Sequence, residues 1–168
     1  MTKEQAQVET PIGTCRAVVV DGAVRTAGFV DRRRSTVASR DSSGVHDALV
    51  AYFAGDIDAL DSIAVAPQGT EFRQLVWKEL REVRAGSTVS YGELAARVGA
   101  PGAARAVGTA NATNPICLVI PCHRVVRSGG ALGGYAFGLD RKQWLIAHEA
   151  RPAGLFEATD AQFSKLPV

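Results

Sequence analysis

The spacing of apolar positions changes about a third of the way along this 168-residue chain. Residues 15–20 and 23–30 are runs rich in Val and other strand formers, joined by Asp21-Gly22. Two such runs around Asp-Gly predict a β-hairpin with a type I′ turn. Thr10-Pro11-Ile12-Gly13 reads as a turn ahead of it. From Ser43 the spacing becomes helical. Val45, Leu49, Tyr52 and Phe53 stand at i, i+4, i+7 and i+8, and Gly55 is the stop. Arg32-Arg33-Arg34 and the polar stretch 35–44 read as a loop or flexible connection. Residues 56–68 read as a linker.

The second half is helical in pattern. Thr70 is a candidate N-cap for a helix whose apolar face is Phe72, Leu75, Val76, Leu80 and Val83. Ser90-Tyr91-Gly92-Glu93 fits a capping box, opening a helix that stops at Gly99. After Ala100-Pro101-Gly102, residues 103–110 form a second short helix. Helix, short Gly-containing turn, helix is the helix-turn-helix pattern. Its second helix is almost all Ala and Gly with one long cation, Arg105, whereas a major-groove reader carries several long polar side chains. On DNA it would therefore work by shape and backbone, with Arg105 as a single probe. The apolar run 116–120, bounded by Asn114-Pro115 and Pro121, reads as a short buried strand. Asp140 is the predicted cap of a final helix carrying Trp144, Leu145 and His148 on one face and ending at Arg151-Pro152. The fold class is α+β: a small N-terminal sheet-and-helix domain (1–66), a mostly helical, winged-helix-like domain with the helix-turn-helix (67–151), and a tail (152–168) expected on the surface or partly disordered.

Charge separates along these boundaries. Residues 1–66 carry seven Lys/Arg and nine Asp/Glu (net −2), residues 67–151 eleven and six (+5), and residues 152–168 one and two (−1). The basic middle segment suits an anionic partner, nucleic acid first, or it is a solvated basic face. No run reaches the roughly 20 apolar residues of a membrane span, and residues 1–7 lack an apolar signal core. Three cysteines without CxxC spacing argue against a disulfide framework or structural zinc and fit a reducing cytoplasm.

The chemistry concentrates at Pro121-Cys122-His123-Arg124. A thiol needs its thiolate form to react, and a nearby His backed by a carboxylate is one way to generate it. Extended neighbours point to opposite faces, so a direct Cys122–His123 hydrogen bond needs a turn. The glycine-rich stretch 129–138 can wrap closely round a ligand but lacks the lysine and spacing of a P-loop.

Taken together, Tyr91-Gly92, Ala103-Ala104-Arg105-Ala106-Val107-Gly108, Asn114-Pro115, Ile120-Pro121-Cys122-His123-Arg124-Val125, Gly134-Tyr135 and Leu145-Ile146-Ala147-His148-Glu149 resemble the O6-alkylguanine-DNA alkyltransferases over residues 69–150. The resemblance implies a single irreversible displacement in which Cys122 takes the alkyl group from guanine O6. It implies that His123 accepts the thiol proton through a bridging water, with Glu149 orienting the imidazole. Tyr91 is the implied proton donor to the leaving guanine, and Asn114 the pin between recognition helix and Cys segment. The target base must leave the stack, with Arg105 entering the vacated space from the minor groove. Tyr91, Ala103, Ala104, Ala106, Gly108 and Ser128 are the implied DNA contacts, and Val125 and Tyr135 the implied pocket lining. No cofactor, metal, membrane or obligatory protein partner is implied; the partner is double-stranded DNA carrying O6-alkylguanine, met by a cytoplasmic monomer. Two departures stand out. Phe137 is bulky where the family often has Ser or Gly, and could narrow the pocket. Cys15 and His46 are too few for the N-terminal zinc site of some members. Cys15 and Cys117 are read as strand-core residues, His148 as packing, and Trp77 and Trp144 as core. A Cys-His-Glu hydrolase and a non-catalytic lesion-binding module are the rival readings.

Overall fold

The protein, seen in a computed structural model, is described for residues 1–31 and 41–151. The Arg32–Arg34 run, most of the loop expected after it and the 152–168 tail lie outside the described residues.

Three antiparallel strands, β1 (Lys3–Thr10), β2 (Gly13–Val20) and β3 (Ala23–Val30), form a meander in the order β1-β2-β3. The predicted hairpin is β2–β3. Asp21 (φ 50°) and Gly22 (φ 80°) both take the left-handed backbone that a type I′ turn demands. β1 has no counterpart in the sequence reading. Its only buried positions are Ala6 and Val8, too few apolar residues to register as an alternating run. It is held by its eight-residue pairing with β2 across the Pro11-Ile12 turn.

Helix α1 (Val45–Ala54) buries Val45, Leu49, Tyr52 and Phe53 and ends on Gly55 at φ 119°, as its spacing predicts. The stretch expected to be a linker is packed instead. Leu60 and Ile63 are buried, and Val65 bridges Val24 of β3 through hydrogen bonds from Val24 N to the Ala64 carbonyl and from Ala66 N to the Val24 carbonyl, both 2.8 Å. Its polar composition hides these few apolar anchors.

Helix α2 (Glu71–Leu80) starts at Thr70, whose hydroxyl accepts from Arg73 N. Its buried face is Val76, Trp77 and Leu80, while Leu75 is exposed. The predicted stripe is rotated because the indole of Trp77, donating to the Ala110 carbonyl at 2.8 Å, anchors α2 on the helix-turn-helix. β4 (Val89–Ser90) leads into α3 (Tyr91–Arg97), with both capping-box bonds made. Gly102 (φ 91°) turns the chain into α4 (Ala104–Ala112). α3 packs on α4, and α2 on both.

The apolar run after α4 is buried but is not a strand. Leu118 takes φ 74°, and Ile120 N bonds back to the Ile116 carbonyl at 2.9 Å, folding residues 116–120 into a turn. Periodicity cannot separate a buried strand from a buried turn. This turn is fastened to the sheet on both sides of Ala27, whose N–H donates to the Pro115 carbonyl and whose carbonyl accepts from Cys117 N, each at 2.9 Å. A 3₁₀ turn (Cys122–Arg124) follows, then β5 (Val125–Val126), which pairs in parallel with β4.

α5 (Leu139–Ala150) closes the described chain. Its N-cap is Gly138 at φ 96°, and Asp140, expected to be the cap, lies inside the first turn. A carboxylate there is still favoured by the partial positive charge of the helix start. Arg141 of α5 reaches the sheet, donating to the Ile12 carbonyl at 2.7 Å and lying over the Phe29 ring.

Candidate active site

Cys122, His123 and Arg124 are all buried in the 3₁₀ turn after Pro121. Glu149 on α5 collects four charge-assisted or phenolic hydrogen bonds. It accepts from His123 Nε2 at 2.7 Å, from Tyr52 Oη at 2.7 Å, and from Arg124 Nε and Nη2 at 2.9 Å each. Burial resists ionisation of Glu149, but His123 and Arg124 outweigh it and hold the carboxyl well below its ordinary value. A carboxylate can only accept, so Nε2 carries the hydrogen, and a proton arriving at the ring has Nδ1 as its place. Nδ1 is buried and has no hydrogen-bond partner among the described side and main chains. Cys122 is not hydrogen-bonded to His123 directly; its sulfur lies 3.8 Å from Cys117 Sγ.

The surroundings of Cys122 favour its thiolate. The S–H of Cys117 leads in pulling the Cys122 thiol below its ordinary value, against burial, with Asn114 and the Lys142 ammonium adding to it. The Cys117 thiol is correspondingly pushed up. Lys142 is fully buried on α5. Its Nζ donates to the carbonyls of Val125 (2.6 Å) and Gly134 (3.0 Å), tying β5 to the glycine-rich loop. Burial pulls its pKa down to about 8, partly offset by Cys122.

Asn114 pins the turn that presents the sulfur. Its Nδ2 donates to the Ile120 carbonyl at 2.8 Å, and its Oδ1 accepts from Ile116 N at 2.9 Å. From α4, Asn111 Nδ2 donates to the Cys122 carbonyl at 3.3 Å. Asn114→Ala strands two buried backbone groups at about 1–3 kcal/mol each, so a loss of about 2–6 kcal/mol is expected. Urea unfolding at unchanged m-value reads it; a loss below about 1 kcal/mol would mean the turn holds without the pin.

Cys122 opens on a cavity of about 360 Å³ whose walls include Tyr91, Asn111, Cys117, Gly134 and Tyr135. That volume is in the range of small-ligand sites. Burial raises the Tyr91 and Tyr135 phenols, so both keep their protons and can donate near neutral pH. Gly133, at φ 69°, would place a Cβ 3.0 Å from Tyr91 Oη, so only glycine lets the loop pass this close. Two expectations fail here. Val125 is buried in β5 and is not part of the cavity wall. Phe137 does not narrow the cavity: Ala136 lines it, while the Phe137 ring turns away to pack edge-on against Phe29 and fills the space above Gly28. A second cavity, of about 320 Å³ between Val65, Trp77 and Ile120, contains no thiol or imidazole.

Beside the mouth, Arg105 and Ala106 of α4 are exposed, Ala103, Ala104 and Gly108 half-buried, and Val107, Ala110 and Asn111 face inward. Ser128 is exposed in the glycine-rich loop. Cys15 is a strand-core residue with its pKa pushed up to about 12 by burial. Cys117 is buried in the turn rather than a strand and lines the cavity. Trp77 is core, whereas Trp144 is half-buried and stacks on His148, whose Nε2 meets the Tyr52 carbonyl at 2.7 Å. Among the described residues there is no cluster of metal-ligating side chains and no helix long and apolar enough to cross a membrane.

Residues 71–151 match the family model of the 6-O-methylguanine DNA methyltransferase, DNA binding domain. The methylated-DNA–protein-cysteine methyltransferase of Mycolicibacterium paratuberculosis is 44% identical over 160 residues, 90% of this chain and 96% of that protein. This chain belongs to the methylated-DNA–protein-cysteine methyltransferase family. The Salmonella typhimurium methyltransferase is 49% identical over 113 residues, 67% of this chain and 66% of the relative's own length. Mycobacterium tuberculosis OGT in complex with DNA superposes with a TM-score of 0.73 at 37% identity, covering 86% of this chain and 92% of that one.

In this methyltransferase-family chain, Cys122, Tyr91 and Tyr135 line one cavity with Gly108, Asn111 and Ala112 of α4, while His123 is joined to Glu149 and Asn114 fastens the turn that carries Cys122. Sequence reasoning gave no role to Lys142, Arg124, Tyr52, Asn111 or Cys117. Lys142 carried a readable signal: with Leu145 and Glu149 it lies at i, i+3 and i+7, on the buried stripe of α5. Tyr52 was visible only as an apolar helix position, because nothing in its spacing shows a phenol aimed at a carboxylate 97 residues away.

Proposed function

We propose that this protein repairs alkylated DNA by direct reversal, in a single turnover. It binds DNA, and its substrate is a duplex carrying O6-alkylguanine. The observation that carries this reading is Cys122 on the wall of a base-sized cavity, followed in the chain by His123, whose Nε2 is held by Glu149 and whose Nδ1 has no partner among the described side and main chains. His123 takes the thiol proton, relayed by a water. The thiolate lone pair forms the S–C bond to the alkyl carbon as the C–O6 bond breaks, and Tyr91 supplies a proton to the departing guanine. The thioether that remains has no easy reverse step, so each molecule acts once. Asn114, Asn111 and Lys142 hold the sulfur, the turn and the loop in place before the base arrives, which lowers the reorganisation needed in the transition state. Residues 1–66 brace the turn through Ala27, and residues 67–151 carry the chemistry and the DNA surface.

The DNA surface is α4 with its small residues Ala103, Ala104, Ala106 and Gly108 against the minor groove, supported by Ser128 and Tyr91. Exposed Arg105 fills the stack when the base swings out. Unstacking costs a few kcal/mol, so Arg105→Ala should slow repair in duplex more than reaction with a free O6-alkylated guanine base; equal losses on the two would remove Arg105 from this role. The protein acts in the cytoplasm as a monomer without an obligatory partner or cofactor.

The test is stoichiometry. Guanine restored from an excess of O6-methylguanine duplex should plateau at one per protein molecule. Continued restoration beyond that plateau would identify a hydrolytic enzyme instead.

A further inference from the structure

Cys117 has no part in the alkyl transfer beyond its S–H, yet it is placed as a partner for a second reaction. The turn at Leu118 folds the chain back so that positions 117 and 122, five residues apart, put their sulfurs 3.8 Å from each other on the wall of one cavity. Asn114 fixes that turn from both ends. A disulfide needs a separation near 2 Å, so the two sulfurs have roughly 2 Å left to close. The third thiol, Cys15, is fully buried in β2 and outside the cavity wall.

We propose that Cys117 is a resolving thiol: hydrogen peroxide entering the cavity oxidises Cys122, and Cys117 captures the product as a reversible Cys117–Cys122 disulfide. This rests on Cys122 being the reactive thiol of the function proposed above. In the first step the Cys122 thiolate attacks a peroxide oxygen. The O–O bond breaks, hydroxide leaves and takes up the proton that the Cys122 thiol had given to His123, forming water, and Cys122 becomes a sulfenic acid. In the second step the Cys117 sulfur attacks the Cys122 sulfur, and hydroxide leaves with the Cys117 proton as a second water. Two thiols are oxidised by two electrons, and one hydrogen peroxide is reduced.

The electrostatics run in the same direction. Cys117 is held as a thiol chiefly by its hydrogen bond to Cys122, then by burial and by the charge Cys122 carries when ionised. Once Cys122 is an uncharged sulfenic acid, the bond to a thiolate and the charge are both gone, and Cys117 gives up its proton more readily. Without a resolving thiol, a low-pKa cysteine proceeds to sulfinic and sulfonic acids, which dithiols do not reverse. For a protein whose only acceptor sulfur is used once, capture as a disulfide preserves that acceptor.

The test uses the full chain and equimolar hydrogen peroxide. Trypsin leaves residues 106–124, which contain Cys117 and Cys122, on one peptide, and Cys15 on another. Wild-type peptide 106–124 should be lighter by two hydrogens and refuse iodoacetamide, the protein should lose methyl acceptance, and dithiothreitol should restore both. Cys117→Ala and Cys117→Ser should each gain oxygen on Cys122 with further peroxide and stay inactive after dithiothreitol. The proposal is overturned if the wild-type peptide gains oxygen as the variants do, stays reduced, or links to Cys15 or a second chain. The wild-type result decides it even if a variant fails to fold. Untreated protein that accepts no methyl group would count against the proposed function, and leaves the peroxide result to be read by mass alone.

Discussion

Cys122→Ser is expected to abolish methyl transfer while leaving duplex binding in place. The substitution keeps the shape of the side chain and removes only its chemistry. Cys117, Asn114 and Lys142 together draw the thiol of Cys122 below its ordinary value. A serine hydroxyl starts so far above a thiol that the same neighbours leave it protonated, and a protonated hydroxyl is a weak nucleophile. The expected fall in single-turnover rate is at least ~10⁴-fold, the scale seen when a nucleophile is removed from an otherwise intact site. Base analysis of a methylated duplex reads the rate, and fluorescence anisotropy reads the binding. A variant still working within tenfold of the wild type would show that the nucleophile is another residue.

The second large effect is at Glu149, where function and stability meet. Glu149→Gln removes the charge facing buried Arg124 and His123, and sets an amide where Tyr52, His123 and Arg124 all donate. Breaking one side of a buried ion pair costs about 3–5 kcal/mol, so a loss of that size at pH 7 is expected. The pH dependence has a definite sign. The folded carboxyl lies below its unfolded value, so its stabilisation is complete above the unfolded pKa of about 4.3 and is lost as pH falls toward the folded value. The gap between wild type and variant in urea should therefore be widest at pH 7, begin to close near pH 4 and go on closing as pH falls further toward the folded value. A gap independent of pH would mean that Glu149 is held by packing and not by charge. The rate should fall as well, because without the carboxylate the His123 tautomer that presents Nδ1 as base is no longer enforced.

What the sequence made legible was local. Asp21-Gly22, the Thr70 cap, the Ser90–Glu93 box and Gly55 are signals written within four or five residues, and each element stands where they put it. The run 116–120 was legible as buried but not as a turn, because the left-handed Leu118 is stabilised by Asn114 and by Ala27 on a distant strand. Within the site, Cys122, His123, Glu149 and Asn114 were named from the family resemblance, whereas Arg124 stood in the same run with no role. The network around them was not. Tyr52 reaches Glu149 across 97 residues, and the side chains of Tyr52 and Lys142 look like ordinary helix positions until the fold aims them. Val125 and Phe137 went astray for a related reason: the glycine-rich loop lets its neighbours point either way, and packing against β4 and Phe29 decides.

The most direct test is to give the protein one equivalent of duplex carrying O6-methylguanine, digest it with trypsin and weigh the fragments. The account predicts a single added methyl group, on Cys122 within peptide 106–124, with the guanine restored in the same amount. Restored guanine with that peptide unmodified, or a methyl group on Cys15 or Cys117, would contradict it.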